Sequence, residues 1–405
     1  MAKNIFYAQS GGVTAVINTT AQGVIETAKK FPSQFNKIYA GRNGILGALH
    51  DDLIDISSID AETLEKLKYT PGGIFGSCRY KLKSPEENPS EFSKLIEVFK
   101  KYEIKYFFYN GGGDSQDTIN KIAKYSQSVG YPLTCIGIPK TIDNDLALTD
   151  NSPGFGSVAK YVAISTLEAT MDVASMYETS TKVFILEVMG RHTGWIAAAS
   201  GLIKNSTDSA PHIILFPEIE FDVDKFLSTV DKTVKEQGYC IVVSSEGIKD
   251  KYGNFISDSE TIDSFGHKQL GGVAPLLSSL ISNKLSYKNH YAAADYLQRS
   301  ARHIASQTDL DQSYAVGEFA VKFAIEGENN CMPIIVRKSN KPYTWTIGKA
   351  SLDNIANIEK KLPKEYISEN GYQITKACKD YLLPLIQGEA YPPYKDGLPD
   401  YVKID

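Results

Sequence analysis

An α/β architecture built as two doubly wound α/β/α lobes is what this sequence predicts, on three observations. Short apolar strands alternate with amphipathic helices along the whole chain. Gly-rich loops follow several of the strands. The 405 residues, at about 150 per domain, make two or three domains. Strand, loop and helix recurring in that order is the pattern of a mostly parallel sheet covered by helices on both faces.

Taken in order, residues 4–9 read as a strand and SGG as its loop, and from Ala15 a helical pattern carries Val16, Ile17, Val24 and Ile25. Phe92, Leu95, Ile96 and Phe99 fall at i, i+3, i+4 and i+7, one face of a helix over 91–102. YFFYN is a buried strand, GGGD its loop, and 115–129 the next helix, with Ile119 and Ile122 inward. TCIGI, VFILEV, HIILF and CIVVS are further short apolar runs suited to buried parallel strands. From about Cys331 the chain turns Pro- and Tyr-rich (KKLPKEY, AYPPYKDGLPDYV) and reads as an ordered extension, not a further domain. Neither a repeat of 20–50 residues nor a low-complexity segment is present.

Composition narrows the function. Hydrophobic residues make up 42% and charged residues 22%, which excludes disordered and fibrous classes. Lys and Arg number 43 against 48 Asp and Glu, a net charge of −5, which argues against a nucleic-acid partner while leaving room for a local basic pocket. The five cysteines are widely spread with no CxxC pair, so a zinc ribbon or disulfide scaffold is excluded and a reducing, cytoplasmic setting is expected. The opening MAKNIFYAQSGG has no charged-then-apolar leader. No apolar run reaches the roughly 18 residues that span a bilayer, so no membrane partner is expected.

Among the motifs, the P-loop signature and HExxH are missing. GFGSVA at 154–159 matches a dinucleotide pattern, but TIDNDLALTDNSP before it is no strand, so a helix start is the better account. Three Gly-rich loops do follow credible strands: SGG (10–12), GGG (111–113) and PGGIFGSCR (71–79). Each alone is also explained by a tight turn. Three in one half of the chain, one ending in Arg79, favour a phosphate site, because glycines let backbone N–H groups approach an anion.

In GGGDSQD, Asp114 stands where a helix N-cap belongs, with Asp117 as a box-like partner. PKTIDNDL crowds Lys140, Thr141, Asp143 and Asp145 into a loop at a strand's carboxyl end, where α/β proteins bind ligands. An Asx-turn accounts for one aspartate, whereas two beside a lysine favour function: a carboxylate to take a hydroxyl proton and a cation to offset phosphoryl charge. Arg191, at the tip of MGRHTG, suits an oxyanion or a surface salt bridge. Glu246 in SEG lies at another strand end, suited to sugar hydroxyls, and His267 reads as a structural loop residue. Tyr296 and Arg299 in YLQR share a helical face, which packing explains equally well.

The set SGG, GGIFGSCR, GGGDS, GIPKTIDNDL, EVMGRHTGW, FPEIEF, SEG and FGHKQLGG, in that order over about the first 300 residues, resembles the phosphofructokinase family. The tail KKLP…GLPDYV further resembles its pyrophosphate-dependent branch. The resemblance implies an active site in the cleft between two lobes. It assigns residues 1–154 with 270–330 to a phosphoryl-donor lobe, 155–269 to a fructose 6-phosphate lobe, and 331–405 to an extension packed on both. It implies that Asp143 is the base for the 1-hydroxyl of fructose 6-phosphate, flanked by Thr141 and Ile142. Met189, Gly190 and Arg191 would hold the sugar phosphate, Glu246 the sugar hydroxyls, and Tyr296 and Arg299 the 6-phosphate, with Leu297 and Gln298 between them also on the substrate side. Gly11, Arg79, Gly112 and Gly113 would bind the donor. Lys182 stands where ATP-using relatives place an arginine that reaches a neighbouring subunit's substrate, which implies a homodimer or higher oligomer.

Three departures from the ATP-using pattern matter, and the first two select the donor. Gly113 replaces an aspartate tied to magnesium and Asp114 replaces a glycine, which puts the expected Mg2+ ligand at Asp114, with Asp145 behind it. Asp114 would also repel the α-phosphate of ATP. Lys140 replaces a glycine and supplies a cation for the transition state. Leu270 replaces an arginine, a lost 6-phosphate contact for which Arg299 would substitute. The implied reaction converts pyrophosphate and fructose 6-phosphate to phosphate and fructose 1,6-bisphosphate, reversibly, in glycolysis and gluconeogenesis. The alternatives are an ATP-dependent enzyme and a silent sugar-phosphate-binding regulatory subunit.

Overall fold

The structure is a computed structural model and describes residues 2–204, 206, 209–262, 268–270 and 272–404. In chain order its main strands are β1 (Lys3–Ser10), β2 (Phe35–Gly41), β3 (Leu53–Asp55), β4 (Ser77–Cys78), β5 (Ile104–Gly111), β6 (Thr134–Pro139), β7 (Val183–Val188), β8 (Ile213–Leu215), β9 (Cys240–Ser245), β10 (Asp258–Ile262), β11 (Lys268–Leu270), β12 (Asn289–Ala293), β13 (Cys331–Asn340) and β14 (Tyr343–Ser351). Helices fill most of the connections, so the α/β class stands. The nine strand and helix segments named above each lie on such an element, within a few residues.

Two compact units form. The first comprises residues 1–157, 300–359 and 388–405, the second 158–299 and 360–387. This division differs from the expected segments in two ways. Residues 270–299 belong to the second unit, because β12 adds to its sheet beside β7. Residues 331–405 are no separate extension: β13 and β14 complete the first sheet, and 360–387 is part of the second unit.

The first unit holds an eight-stranded sheet in the order β14-β13-β6-β5-β1-β2-β3, with β4 also on β1. From β13 to β2 the neighbours are parallel, and the edges β14 and β3 are antiparallel. Both faces are covered, which explains why β1 is apolar at successive positions. Ile5 and Tyr7 point into one core with Val24, Ile25, Val316 and Val321. Phe6 and Ala8 point into the other with Phe92, Leu95, Phe99 and Ile119. Burial of each such large side chain contributes roughly 1.5–3 kcal/mol. The helix Pro89–Lys101 begins on a proline, ends on two lysines and buries its predicted stripe.

The second unit holds the four-stranded parallel sheet β12-β7-β9-β8. Val183, Ile185 and Val242 pack with Val230, Leu277 and Ile281 on one face, while Phe184 and Ile241 pack with Val173 on the other. All five cysteines are buried free thiols. Among the described residues no helix is long and apolar enough to cross a membrane.

Candidate active site

In the first unit, consecutive chain segments leave β1 on opposite sides: β2 pairs with one edge and β5 with the other. Such a reversal opens a crevice beyond the carboxyl ends of the two strands. The register sets the loops in a row there, since Gln9 pairs with Asn110, Ser10 with Cys78, and Gly111 with Pro139. Gly11, Arg79, Gly112 and Lys140 each follow directly on these strand ends. Four separate motifs of the sequence thus meet at one edge.

Hydrogen bonds tie the loops together. Gly11 N–H donates to the Cys78 carbonyl at 2.9 Å, and Ser77 Oγ donates to the Gly11 carbonyl at 2.7 Å. Lys140 is 4% exposed, and its Nζ donates to the Gly12 carbonyl at 2.6 Å. Gly11 has φ +76°, and a Cβ there would lie 3.2 Å from Lys140 Nζ, so both its conformation and this close approach call for glycine. Lys140 N–H donates to the Gly111 carbonyl at 3.2 Å. Gln116 Nε2 bridges the Gly111 and Ile138 carbonyls at 2.8 and 3.1 Å.

The helix Gly113–Ser128 starts in this row with Gly112 as its N-cap residue, so its first N–H groups and partial positive charge lie at the crevice. This corrects the expectation for Asp114, which sits inside the first turn and caps nothing. Its Oδ1 pairs with Lys81 Nζ at 2.8 Å, and the aspartate side chain is one-third exposed. Asp117 is likewise no capping partner; it pairs with Lys121 at 2.6 Å and accepts from Asn357 Nδ2 at 3.3 Å. The Asp114 carboxylate raises the Lys81 ammonium above its ordinary pKa through this hydrogen bond. Lys81 escaped the sequence reading because only the folding of the loop after Arg79 brings it to Asp114. Arg79 itself is exposed.

The TIDND loop is built around Thr141. Its N–H donates to the Pro153 carbonyl at 3.3 Å, and its Oγ1 accepts the Asp143 N–H at 3.0 Å and lies 3.5 Å from Asp143 Oδ2. Asn144, in the left-handed region at φ +56°, accepts the Ser152 N–H on its Oδ1 at 3.0 Å. Thr141 and Ile142 are buried and Asp143 is half-buried, so the carboxylate stays reachable while its neighbours are fixed. Beyond this loop GFGSVA opens the helix Phe155–Met176, as expected for a helix start. Gly154 and Ser157 N–H groups are held there by the buried Asp309 carboxylate at 2.9 and 3.0 Å.

The second unit gathers the other set at the carboxyl ends of β7 and β9. Gly190, with φ +133°, donates its N–H to Glu246 Oε1 at 3.3 Å, and its carbonyl accepts from Ser245 Oγ. Met189 N–H donates to Gln298 Oε1 at 3.2 Å, and Gln298 Nε2 donates to the Asp295 carbonyl at 3.0 Å. On the short helix Asp295–Ser300 the Arg299 guanidinium lies over the Tyr296 ring, 3.9 Å from its centroid. Tyr296 and Leu297 are exposed and Gln298 is buried. Arg191 is half-buried. Burial pushes the Glu246 carboxyl above its ordinary pKa; the Gly190 N–H and Arg191 oppose this, and Glu187 and Asp295 add to it.

Lys182 is not brought to this group. It precedes β7, at the opposite end from Met189, about 20 Å away along a strand at roughly 3.3 Å per residue. Its Nζ donates to the Glu178 carbonyl at 3.4 Å and lies 5.4 Å from the Tyr177 ring centroid. His267 lies outside the described residues, and of Leu270 the structure describes only its place in β11. Among the described residues no group of three or more His, Cys, Asp or Glu is placed to hold a metal ion. A partly exposed carboxylate such as Asp114 suits magnesium, which keeps several waters and needs only one or two carboxylates.

Comparison with known proteins extends these observations. Residues 4–323 match the family model described as Phosphofructokinase. A pyrophosphate--fructose 6-phosphate 1-phosphotransferase from Methylococcus capsulatus is 57% identical over 403 residues, 100% of this chain and 96% of the relative. One of the same description from Halomonas elongata is 56% identical over 401 residues, 99% of this chain and 96% of the relative. The crystal structure of a pyrophosphate-dependent phosphofructokinase from Nitrosospira multiformis superposes with a TM-score of 0.91 at 56% identity, covering 99% of this chain and 96% of that one. A Gly-lined crevice, a TIDND loop and an MGR loop on this fold, matched along four-fifths of the chain, make it a member of the phosphofructokinase family.

Proposed function

We propose that this chain transfers a phosphoryl group, reversibly, between pyrophosphate and the 1-hydroxyl of fructose 6-phosphate. The observation that carries the donor half of this reading is the Lys140 ammonium, buried on the Gly12 carbonyl beside Gly11 at the head of the crevice. A buried, fixed cation among glycine N–H groups and a helix N-terminus is preorganised for a compact anion. Asp143 takes the proton of the 1-hydroxyl, held for that by Thr141. The sugar oxygen then forms its bond to a pyrophosphate phosphorus as the bridging P–O bond breaks and phosphate leaves. Gly11, Arg79, Gly112 and Gly113 bind the donor. Met189, Gly190, Arg191, Glu246 and the segment Tyr296, Leu297, Gln298 and Arg299 bind the sugar phosphate.

Asp114 is the residue that would hold magnesium, which when bound offsets pyrophosphate charge. Its carboxylate also disfavours the α-phosphate of a nucleotide. The remote place of Lys182 supports a role toward a second copy of the chain, in a homodimer or higher oligomer. Five free thiols support a cytoplasmic setting. The test is a side-by-side rate measurement with pyrophosphate and ATP, in both directions, on the wild type and on Asp143→Asn. Pyrophosphate should be the efficient donor, and the variant should lose about 10²–10⁴-fold in kcat with a small change in KM. ATP serving equally well reverses the donor assignment, and a near-normal kcat in the variant removes Asp143 as the base.

A further inference from the structure

Glu187, the last-but-one residue of β7, is 6% exposed and carries a carboxylate that the mechanism above does not use. Its Oε2 accepts the Ala274 N–H at 2.7 Å and its Oε1 the Gly272 N–H at 3.3 Å. These are donors at the start of the helix Val273–Leu285, whose own N-cap residue, Gly272, has no side chain to satisfy them. The Glu187 main-chain carbonyl meanwhile accepts the Ala294 N–H at 2.9 Å, and the Ala294 carbonyl accepts the Leu297 N–H at 3.0 Å. That fixes the start of the segment carrying Tyr296, Gln298 and Arg299. Two and three residues further along the chain, Met189 N–H reaches Gln298 and Gly190 N–H reaches Glu246.

We propose that Glu187 is the positioning residue of the sugar-phosphate half of the site, its buried carboxylate and main chain holding the Gly272 turn and the Tyr296–Arg299 face in register with the MGR loop. This rests on the reading of that half as the fructose 6-phosphate site. The physical reason is that Glu187 anchors two segments distant in sequence from one rigid strand end, next to the loop that must meet the ligand. A buried anion at a helix N-terminus is also favoured by the helix dipole, so the arrangement holds without help from the ligand. Gln at this position keeps the size and one acceptor oxygen, but loses the charge and one of the two backbone bonds.

The test is fructose 6-phosphate affinity by calorimetry without donor, together with KM for both substrates, on Glu187→Ala and Glu187→Gln in the full chain. Glu187→Ala should weaken fructose 6-phosphate binding roughly tenfold or more, the scale of a small misplacement of binding groups. KM for pyrophosphate should stay within about twofold, and Glu187→Gln should fall between Ala and wild type. Asp222→Ala is the control for a merely structural role. It removes the cap of the helix Val223–Gln237 in the same unit, an Asp222 oxygen that accepts the Lys225 N–H at 3.0 Å. It should lower Tm while leaving fructose 6-phosphate affinity unchanged. Unchanged affinity in both Glu187 variants, or equal losses for both substrates, overturns the inference. If Glu187→Ala does not fold, the Gln variant decides alone, with a severalfold loss expected and no loss overturning it. Wild-type binding of fructose 6-phosphate without pyrophosphate turnover would defeat the donor reading and leave this one standing; no binding by the wild type would remove both.

Discussion

Lys140 follows β6 and Asp114 lies in the first turn of the helix Gly113–Ser128, and in the proposed reaction their charges make opposite demands on a donor. Lys140→Gly should slow pyrophosphate turnover chiefly through kcat, because the cation acts most strongly on transition-state charge. Asp114→Gly also frees Lys81 from its 2.8 Å partner, so the crevice gains net positive charge, and repulsion of a nucleotide's α-phosphate disappears. The double variant should prefer ATP over pyrophosphate more than either single one, measured as the ratio of kcat/KM values. Wild-type pyrophosphate activity in the double variant would make both residues structural. Glu246 offers a test through pH. Its pKa is raised above the usual 4.5, chiefly by burial, so the native state holds this proton more tightly than the unfolded chain does. That contribution to stability is present below the usual value and is lost as pH rises through the raised one. Glu246→Gln should therefore match the wild type near pH 4, exceed its Tm near pH 7, and weaken fructose 6-phosphate binding.

At the scale of elements, the loops are held by buried carboxylates on backbone N–H groups. Glu218, in FPEIEF, accepts on one oxygen from Gly194 N–H at 2.9 Å and Leu362 N–H at 3.1 Å. It thereby joins the end of the MGRHTGW loop to the returning tail. Its other oxygen is buried without a hydrogen-bond partner among the described residues, and burial pushes the Glu218 carboxyl above its ordinary pKa. Glu218→Ala would leave two buried donors unpaired, at about 1–3 kcal/mol each. The expected result is a fall of at least about 2 kcal/mol in unfolding free energy from a urea titration. Glu218→Gln, which keeps an acceptor and sheds a poorly solvated charge, should stay within about 1 kcal/mol of the wild type. An equal loss in both variants would show that the charge itself matters.

At the scale of the whole molecule, the candidate residues sort by unit. Gly11, Arg79, Gly112, Gly113, Asp114, Lys140 and the TIDND loop lie in the first, and Met189, Gly190, Arg191, Glu246 and Tyr296–Arg299 in the second. Variants should sort the same way. Arg191→Ala and Arg299→Ala should each raise KM for fructose 6-phosphate well above any change for pyrophosphate, since charge-assisted contacts to one ligand are removed. Lys140→Gly, by contrast, should leave KM for fructose 6-phosphate close to wild type and act on turnover with pyrophosphate. Steady-state kinetics with each substrate varied in turn checks both, and an arginine effect confined to pyrophosphate would put these residues on the other ligand.

Local order is legible from the residues alone. Apolar runs bounded by Gly-rich loops mark strands that are buried on both faces, and the TIDND and MGR motifs sit at strand ends because each follows its strand directly. Domain boundaries were not legible, since whether β12 or β13 joins a sheet depends on pairing between residues up to hundreds apart. The same holds for Asp114, whose neighbour Lys81 is supplied by another loop, and for Glu187, which reads as one more residue of an apolar strand. The cap falls on Gly112 and not on Asp114, because the helix takes up two further glycine positions, and only the backbone path fixes where its first turn starts. Local patterning follows from short-range sterics and burial, whereas ion pairs, buried carboxylates and sheet edges are decided by which distant segments the tertiary fold brings within hydrogen-bond distance.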